Sequence, residues 1–368
     1  MTALTPSRTR GLPTRHHEGC ACPDGVCLAL TTAEPQHPAA ARRGALRRNL
    51  PLVGAVTGVL LLAVVSVFIG VSELSPWAVL TGRLSAYDVE TLLVSRVPRT
   101  AAILLAGSAM AVVGLVMQML VRNKFVEPST AGTTESAGLG LLLVTMIAPG
   151  MPLVGKMAVA AVAALLGTML FLRILRYVPL RSVVMVPLIG LMLSGVVGAV
   201  STFIAYRADL LHTLSSWMTG DFSGVIRGRY EMLWIVLVLG VIAYVAADRF
   251  TVAGMGEEFT TNLGLNYRRT VAAGLTIVAL VSAVVVVVVG GLPFLGLVVP
   301  NIVSMAMGDK LRRALPWVAV LGAAFVLVCD ILGRVIRFPY EIPIGVVVGV
   351  VGAALFLYLL LRRPARVG

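Results

Sequence analysis

Ten apolar runs divide this chain and leave little room for any other design. They fall near residues 50–71, 98–120, 131–148, 152–175, 183–205, 231–248, 270–289, 292–307, 315–333 and 342–361. A helix needs about 20 apolar residues to cross a hydrocarbon core of about 30 Å. Lipid offers no hydrogen bonds, so a spanning segment must satisfy its own backbone, as a helix or as part of a closed barrel. A barrel would show short alternating strands instead of long runs. The expected fold is therefore all-α, a polytopic membrane protein of about ten transmembrane helices. With 58% hydrophobic and only 13% charged residues, a soluble globular fold is excluded. The run at 292–307 is short and is expected to be broken or partly embedded. Small residues recur at Gly107–Ala111 and Gly345–Gly349, a spacing that lets helices approach closely.

The net charge of +13 does not point to nucleic acid, because the basic residues sit beside apolar runs rather than in a polar patch. In a membrane chain that pattern sets orientation and contacts lipid. Alternate connections gather most of the basic residues: the N-terminal tail, Arg122 and Lys124, Arg173, Arg176 and Arg181, the stretch Arg249–Arg269, Lys310, Arg312 and Arg313, and the C-terminal end. By the positive-inside rule these face the cytoplasm, which puts both termini there. Residues 1–49 are expected to be a polar, disordered cytoplasmic tail ending in Arg42, Arg43, Arg47 and Arg48. The first apolar run starts too far in for an ordinary cleaved signal, so it reads as an uncleaved span. The membrane domain covers 50–363, followed by a short cytoplasmic tail, 364–368. Cys20, Cys22 and Cys27 lie with His16 and His17 in the spacing HHxxCxCxxxxC, which fits no standard zinc module, and no metal site is expected. Cys329 lies inside an apolar run and is expected to pack there.

The longest polar interlude between apolar runs after residue 230 is Arg249–Arg269, RFTVAGMGEEFTTNLGLNYRR. Met255, Phe259 and Leu263 recur at i, i+4 and i+8 and line one face of a short helix. Glu257 and Glu258 fall in its first turn, where the helix dipole favours negative charge. Gly264 stands where a C-terminal cap belongs, and Asn266 is placed to cap the next helix. Two short amphipathic helices at a membrane surface would present an apolar face to a partner; a solvated loop is the alternative. Within the apolar runs, Asp330 and Arg334 are four residues apart and able to pair. Glu135 and Glu341 lie at run boundaries, where a helix-end charge and a functional role are both open.

No GxxxxGK[ST], H-E-x-x-H, G-x-S-x-G or paired CxxC pattern occurs. No ladder of intramembrane acids of the kind ion-coupled carriers use is present. These absences describe a membrane protein that moves something while another subunit supplies the energy.

The stretch SRVPRTAAILLAGSAMAVVGLVMQMLVRNKFVEPSTAGTTESAGLG (95–140) resembles the signature of bacterial iron-siderophore and vitamin B12 ABC-transporter permeases. It holds an R-x-P-R turn at Arg96 and Arg99. Gly114, Gln118 and Asn123 follow in one motif, and Glu127, Pro128 and Gly132 in the next. GGLPFLGLVVPNIVSMAMGDKLRRALP (290–316), with Pro300 and Asn301, and DILGRVIRFPYEIPIGVVVGVVGAALFLYLLLRR (330–363) resemble the same family. Asn301 after VVP, where many members carry His, and KFVEPSTAGTTE in place of PLADPDLLGVS look like the branch of anguibactin and petrobactin permeases. The resemblance implies a ten-span subunit paired with a second, identical or related, permease. Two cytoplasmic ATPase subunits would bind the ATP and Mg, with no cofactor on this chain, and a ferric-siderophore-binding protein would deliver cargo. It places the ATPase-coupling helices at Gly254–Tyr267, with Gly254, Glu257, Glu258, Phe259, Leu263 and Gly264. It makes Arg96, Arg99 and Arg334 docking residues for the delivery protein. Haem or a cobalamin as cargo, or an ion-coupled carrier, are the competing readings.

Overall fold

A computed structural model describes residues 38–70, 77, 81–82, 85–177, 185–308 and 310–362. The Cys/His stretch of the N-terminal tail and the C-terminal tail 364–368 lie outside the described residues. The first helix, α1 (Pro38–Phe68), begins well before residue 50, where tail was expected to give way to span. Residues 39–48, AAARRGALRR, are mostly Ala, Leu and Arg, among the best helix formers, so nothing local stops the helix from starting early. Everything below concerns the compact unit that starts at Leu50.

After α1 come α2 (Ala86–Thr91) and a π-helical turn, Leu92–Arg96, that runs into α3 (Val97–Val121). Then follow α4 (Thr133–Ile147), α5 (Leu153–Tyr177), α6 (Met185–Arg207) and the short α7 (Leu211–Met218). A 3-10 turn at Tyr230–Leu233 opens α8 (Trp234–Val245), succeeded by α9 (Ala247–Ala253) and α10 (Glu257–Asn262). The chain closes with α11 (Tyr267–Val289), α12 (Leu295–Met307), α13 (Leu311–Val335) and α14 (Ile344–Arg362). No strand occurs among the described residues, although Val284–Val289 is a run of valines that would favour a strand in water. Those valines form the last turns of α11 because buried backbone in an apolar bundle must be satisfied locally.

Among the described residues seven helices are long and apolar enough to cross a membrane, and eight if α8 and α9, bent by 62°, count as one broken span. The expected count of about ten is not reached this way. The runs at 131–148 and 292–307 yield α4 and α12, of 15 and 13 residues. At 1.5 Å per residue these are only about 20–22 Å long. The polar segment 122–132 and the turn around Gly290–Phe294 take the backbone that would have lengthened them. The short run at 292–307 is thus a short helix entered from a turn, as its length suggested.

Helix α3 is the central post: 83% of its most apolar window is buried, against 11% for α1 at the periphery. Small residues set how near α13 comes to it. A Cβ on Gly322 would lie 2.5 Å from the Gly107 carbonyl oxygen and 2.5 Å from the Ala111 Cβ. The Gly107–Ala111 spacing is therefore a real helix contact. Gly345 does the same at the start of α14, where a Cβ would lie 2.5 Å from the Gly220 nitrogen.

A larger side chain at the α3–α13 contact must push two helices apart, and overpacking of this kind costs about 1–3 kcal/mol. Gly322→Val is expected to lower the thermal midpoint of the purified protein in detergent, while Gly195→Val, at a glycine whose Cβ would meet nothing within 4 Å, leaves it near wild type. Equal midpoints for the two variants would refute the close contact.

Candidate functional site

Three groups of residues singled out in the sequence occupy three levels of the bundle. At one end lies the stretch after α9. Gly254 packs on α3, where a Cβ would sit 3.2 Å from the Met119 carbonyl oxygen. Gly256, at φ +119°, makes the reversal into α10, a conformation that suits glycine. Thr260 is fully buried and fastens α10: its single hydroxyl proton is shared between the Gly256 carbonyl at 2.5 Å and the Val252 carbonyl at 3.1 Å. The helix then closes as a Schellman motif, with Gly264 at φ +77°, its N–H on Thr261 O at 2.9 Å, and Leu265 N–H on Thr260 O at 3.1 Å. Asn266 Oδ1 accepts from Arg269 N at 3.0 Å and caps α11, as expected from its position. Met255, Phe259 and Leu263 are exposed by 56%, 48% and 56%. The element is thus held by its polar Thr260 and leaves its apolar face free, with Glu257 and Glu258 beside it in the first turn.

In the middle of the bundle the residues of the 114–132 and 290–301 motifs form one assembly. Pro300 lies inside α12 and has no N–H, so the carbonyl of Gly296, four residues earlier, lacks its helical donor. Gln118 on α3 supplies it, Nε2 to Gly296 O at 3.1 Å. Gly114 makes room for this approach, since a Cβ there would lie 2.3 Å from Gly296 Cα. Asn301 Nδ2 donates to Lys124 O and to Leu297 O, both at 2.8 Å. Asn123 Oδ1 accepts from Phe125 N at 2.9 Å and shapes the turn that follows α3. Glu127, almost wholly buried, caps α12 from that turn. Its Oε1 accepts from Phe294 N at 2.9 Å and Ser129 Oγ at 2.6 Å, and backbone N–H groups of Gly296 and Leu297 also bond to it. Burial pushes this carboxyl above its ordinary value, and the converging donors pull it back. The Pro128 carbonyl accepts from Thr133 N at 3.0 Å, and Gly132 at φ +78° starts α4.

At the other end Arg96, Arg99 and Arg334 are bound within the chain. Arg99 grips Asp330 Oδ1 through Nε at 3.2 Å and Nη2 at 2.8 Å, and Glu341 Oε2 through Nη1 at 2.7 Å. Arg334 bonds to the other oxygen of Asp330, to the Ser66 hydroxyl, and to the carbonyls of Ser66 and Ile69 at 3.0 and 2.6 Å. Arg96 Nη1 donates to Val67 O at 2.8 Å. The Asp330–Arg334 pair was legible from its spacing; the bridge from Arg99 across to Asp330 and Glu341 was not, because it joins residues more than 230 positions apart. The Gln118–Gly296 bond was equally hidden, although Pro300 marks which carbonyl would need a donor.

Residues 58–362 match the FecCD transport family over most of the chain. This chain belongs to the FecCD transport family. It is 52% identical over 307 residues to the petrobactin import system permease protein YclN of Bacillus subtilis (strain 168), covering 83% of this chain and 96% of that protein. It is 42% identical to the petrobactin import system permease protein FatD of Bacillus anthracis, covering 85% and 91%. The ferric-anguibactin transport system permease protein FatD of Vibrio anguillarum (strain ATCC 68554 / 775) is 40% identical over 74% of this chain and 86% of its own length. The fold is shared with a metal-chelate type ABC transporter solved in an inward-facing conformation, at a TM-score of 0.72 and 23% identity over 85% of this chain and 99% of that one.

In this FecCD-family chain the motif residues around Gln118 hold a broken helix together, so their loss is first a loss of stability. Gln118→Leu strands the Gly296 carbonyl, at a cost of about 1–3 kcal/mol. Pro300→Ala restores an N–H at that position, so the cost of Gln118→Leu is expected to fall by half or more in that background. A double-mutant cycle on thermal unfolding measures this, and strictly additive effects would contradict the shared carbonyl.

Proposed function

We propose that this chain is the permease subunit of an ATP-binding-cassette importer that carries ferric siderophores across the bacterial cytoplasmic membrane. The observation that carries the reading is the similarity, across nearly the full length of each relative, to permeases named for petrobactin and anguibactin import. On this reading the chain makes and breaks no bonds. A second permease, identical or related, completes the route, two ATPase subunits bind ATP and Mg, and a ferric-siderophore-binding protein delivers the cargo; none of these partners is nucleic acid. Haem or a cobalamin is the second cargo reading. The short helices α4 and α12 join the eight longer or bent spans to make ten crossings, with both termini cytoplasmic, since a chain that continues through each short helix reverses side at each one.

The free face of Met255, Phe259 and Leu263 supports an ATPase contact at Gly254–Tyr267, because an exposed apolar strip on a rigid, capped helix is the kind of surface that marks an interaction site. Each buried apolar side chain contributes roughly 1.5–3 kcal/mol, so Phe259→Ala with Leu263→Ala removes about 3–6 kcal/mol from that contact. The expected result is normal membrane insertion with loss of ATPase co-purification and of siderophore uptake. Full uptake with the ATPase still bound would remove this stretch from the coupling role.

At the opposite end we infer that Arg99, backed by the buried Arg96 and Arg334, makes the basic docking point for the delivery protein. Arg99 is held by Glu341, itself part-exposed, so carboxylates of an incoming partner compete with an internal one. Glu341→Gln is expected to strengthen binding of the delivery protein several-fold at low salt, with the gain fading as salt screens it. Binding that is unchanged or weakened at low salt would argue against this role.

A further inference from the structure

A cavity of about 360 Å³ lies where the start of α4, the middle of α6, α7 and the Gly291–Pro293 turn meet. Most of its wall is apolar, yet two of its lining residues carry buried oxygens with no hydrogen-bond partner among the described residues: Thr134 Oγ1 and Glu135 Oε2. Thr134 is only 5% exposed. Buried polar atoms almost always find a partner, and a carboxylate oxygen without one is far costlier than a neutral group. The pair is an exception that asks for a ligand.

The neighbouring hydroxyls say what kind. Ser201 gives its proton to the Val197 carbonyl and Ser215 gives its proton to the His212 carbonyl, both at 2.8 Å. Ser129 gives its proton to Glu127 at 2.6 Å. Each of these three serines lines the cavity with its donor already spent, so each offers lone pairs toward it. Glu127, a second carboxylate, lies near Glu135, and the Ser194 hydroxyl bonds to the Glu135 carboxyl, which leaves only Oε2 without a donor. Among the described residues no three His, Cys, Asp or Glu side chains gather as a divalent metal would require. One carboxylate amid neutral oxygens balances one positive charge, and hard oxygen donors suit alkali and ammonium cations.

We propose that this cavity binds a singly charged cationic group, held by Glu135 Oε2 and Thr134 Oγ1 with serine oxygens around it. The group is either a free alkali or ammonium ion or the charged amine of a transported molecule; the volume admits both. The site is argued from this chain's own oxygens, and only its amine occupant rests on the transport reading.

Binding to the full-length chain in lipid nanodiscs tests it without any need for transport. Trp217, on α7 beside the lining residue Met218, serves as a fluorescent reporter, and radiolabelled sodium gives the stoichiometry directly. Sodium, potassium and ethylammonium chlorides are titrated at constant ionic strength against tetraethylammonium chloride, which has no N–H donors and is too bulky to approach one carboxylate closely. At least one of the three is expected to saturate at one ion per chain. Glu135→Gln is expected to weaken it at least tenfold, and Thr134→Val, close to isosteric, several-fold. Saturation by sodium or potassium identifies a free ion; saturation by ethylammonium alone identifies an amine. No saturable response in the wild-type chain overturns the proposal, whatever the variants do. A response that survives unchanged in a folded Thr134→Val or Glu135→Gln overturns it as well, as does a response to pH alone that is the same in all four salts.

Discussion

Everything in the middle of this bundle depends on how a broken backbone is satisfied away from water. Helix α12 starts in the interior, contains Pro300, and is entered through a residue, Phe294, held at φ +63°. Each of these features removes hydrogen bonds that a membrane cannot replace. The replacements come from α3 and the turn after it: Gln118 for the Gly296 carbonyl, Glu127 for the N–H groups at the start of α12, and Asn301 in return for the Lys124 carbonyl. The exchange is reciprocal, so the turn at 122–132 and the start of α12 stabilise one another and neither would hold its shape alone.

That exchange explains why α3 is so deeply buried. It must reach α12 closely enough for Gln118 to bond a backbone carbonyl, which Gly114 permits, and it must also admit α13, which Gly107 and Gly322 permit. Its N-terminal end carries Arg99 into contact with Asp330, a carboxylate with no exposure at all. A buried charge is tolerated only when it is paired and hydrogen-bonded. Asp330 meets this by sharing its two oxygens between Arg99 and Arg334, and Arg334 in turn ties down the carbonyls at the end of α1. One acidic residue thereby joins α1, α3 and α13 at one end of the bundle.

The opposite end is built to a different rule. Helix α10 is held by the backbone reversals at Gly256 and Gly264 and by the Thr260 hydroxyl, so its position needs none of its apolar side chains. They are left exposed on a rigid support. Gly254 rests on α3, so this support is tied directly to the central helix.

The apolar runs by themselves determined that this chain is helical and membrane-embedded, because lipid excludes every other way of satisfying so long an apolar backbone. Local chemistry also determined the capped helix at 257–262, the Asn266 cap and the Asp330–Arg334 pair, since glycine conformation, cap geometry and i, i+4 spacing act within a few residues. Motif order determined the family. The short run at 292–307 already announced a short α12, but tertiary structure alone decided that α4 is short and how α12 begins, because the turn before α4 and the start of α12 meet across more than 160 residues. It alone decided that Arg99 is bound to Asp330 and Glu341. It alone decided that Thr134 and Glu135 border a cavity with oxygens unpartnered, where the sequence left Glu135 open between a helix-end charge and a functional role. Spacing along a chain reports only on neighbours, whereas the partner of a buried charge or carbonyl is chosen by which helices are narrow enough, through their glycines, to come within reach.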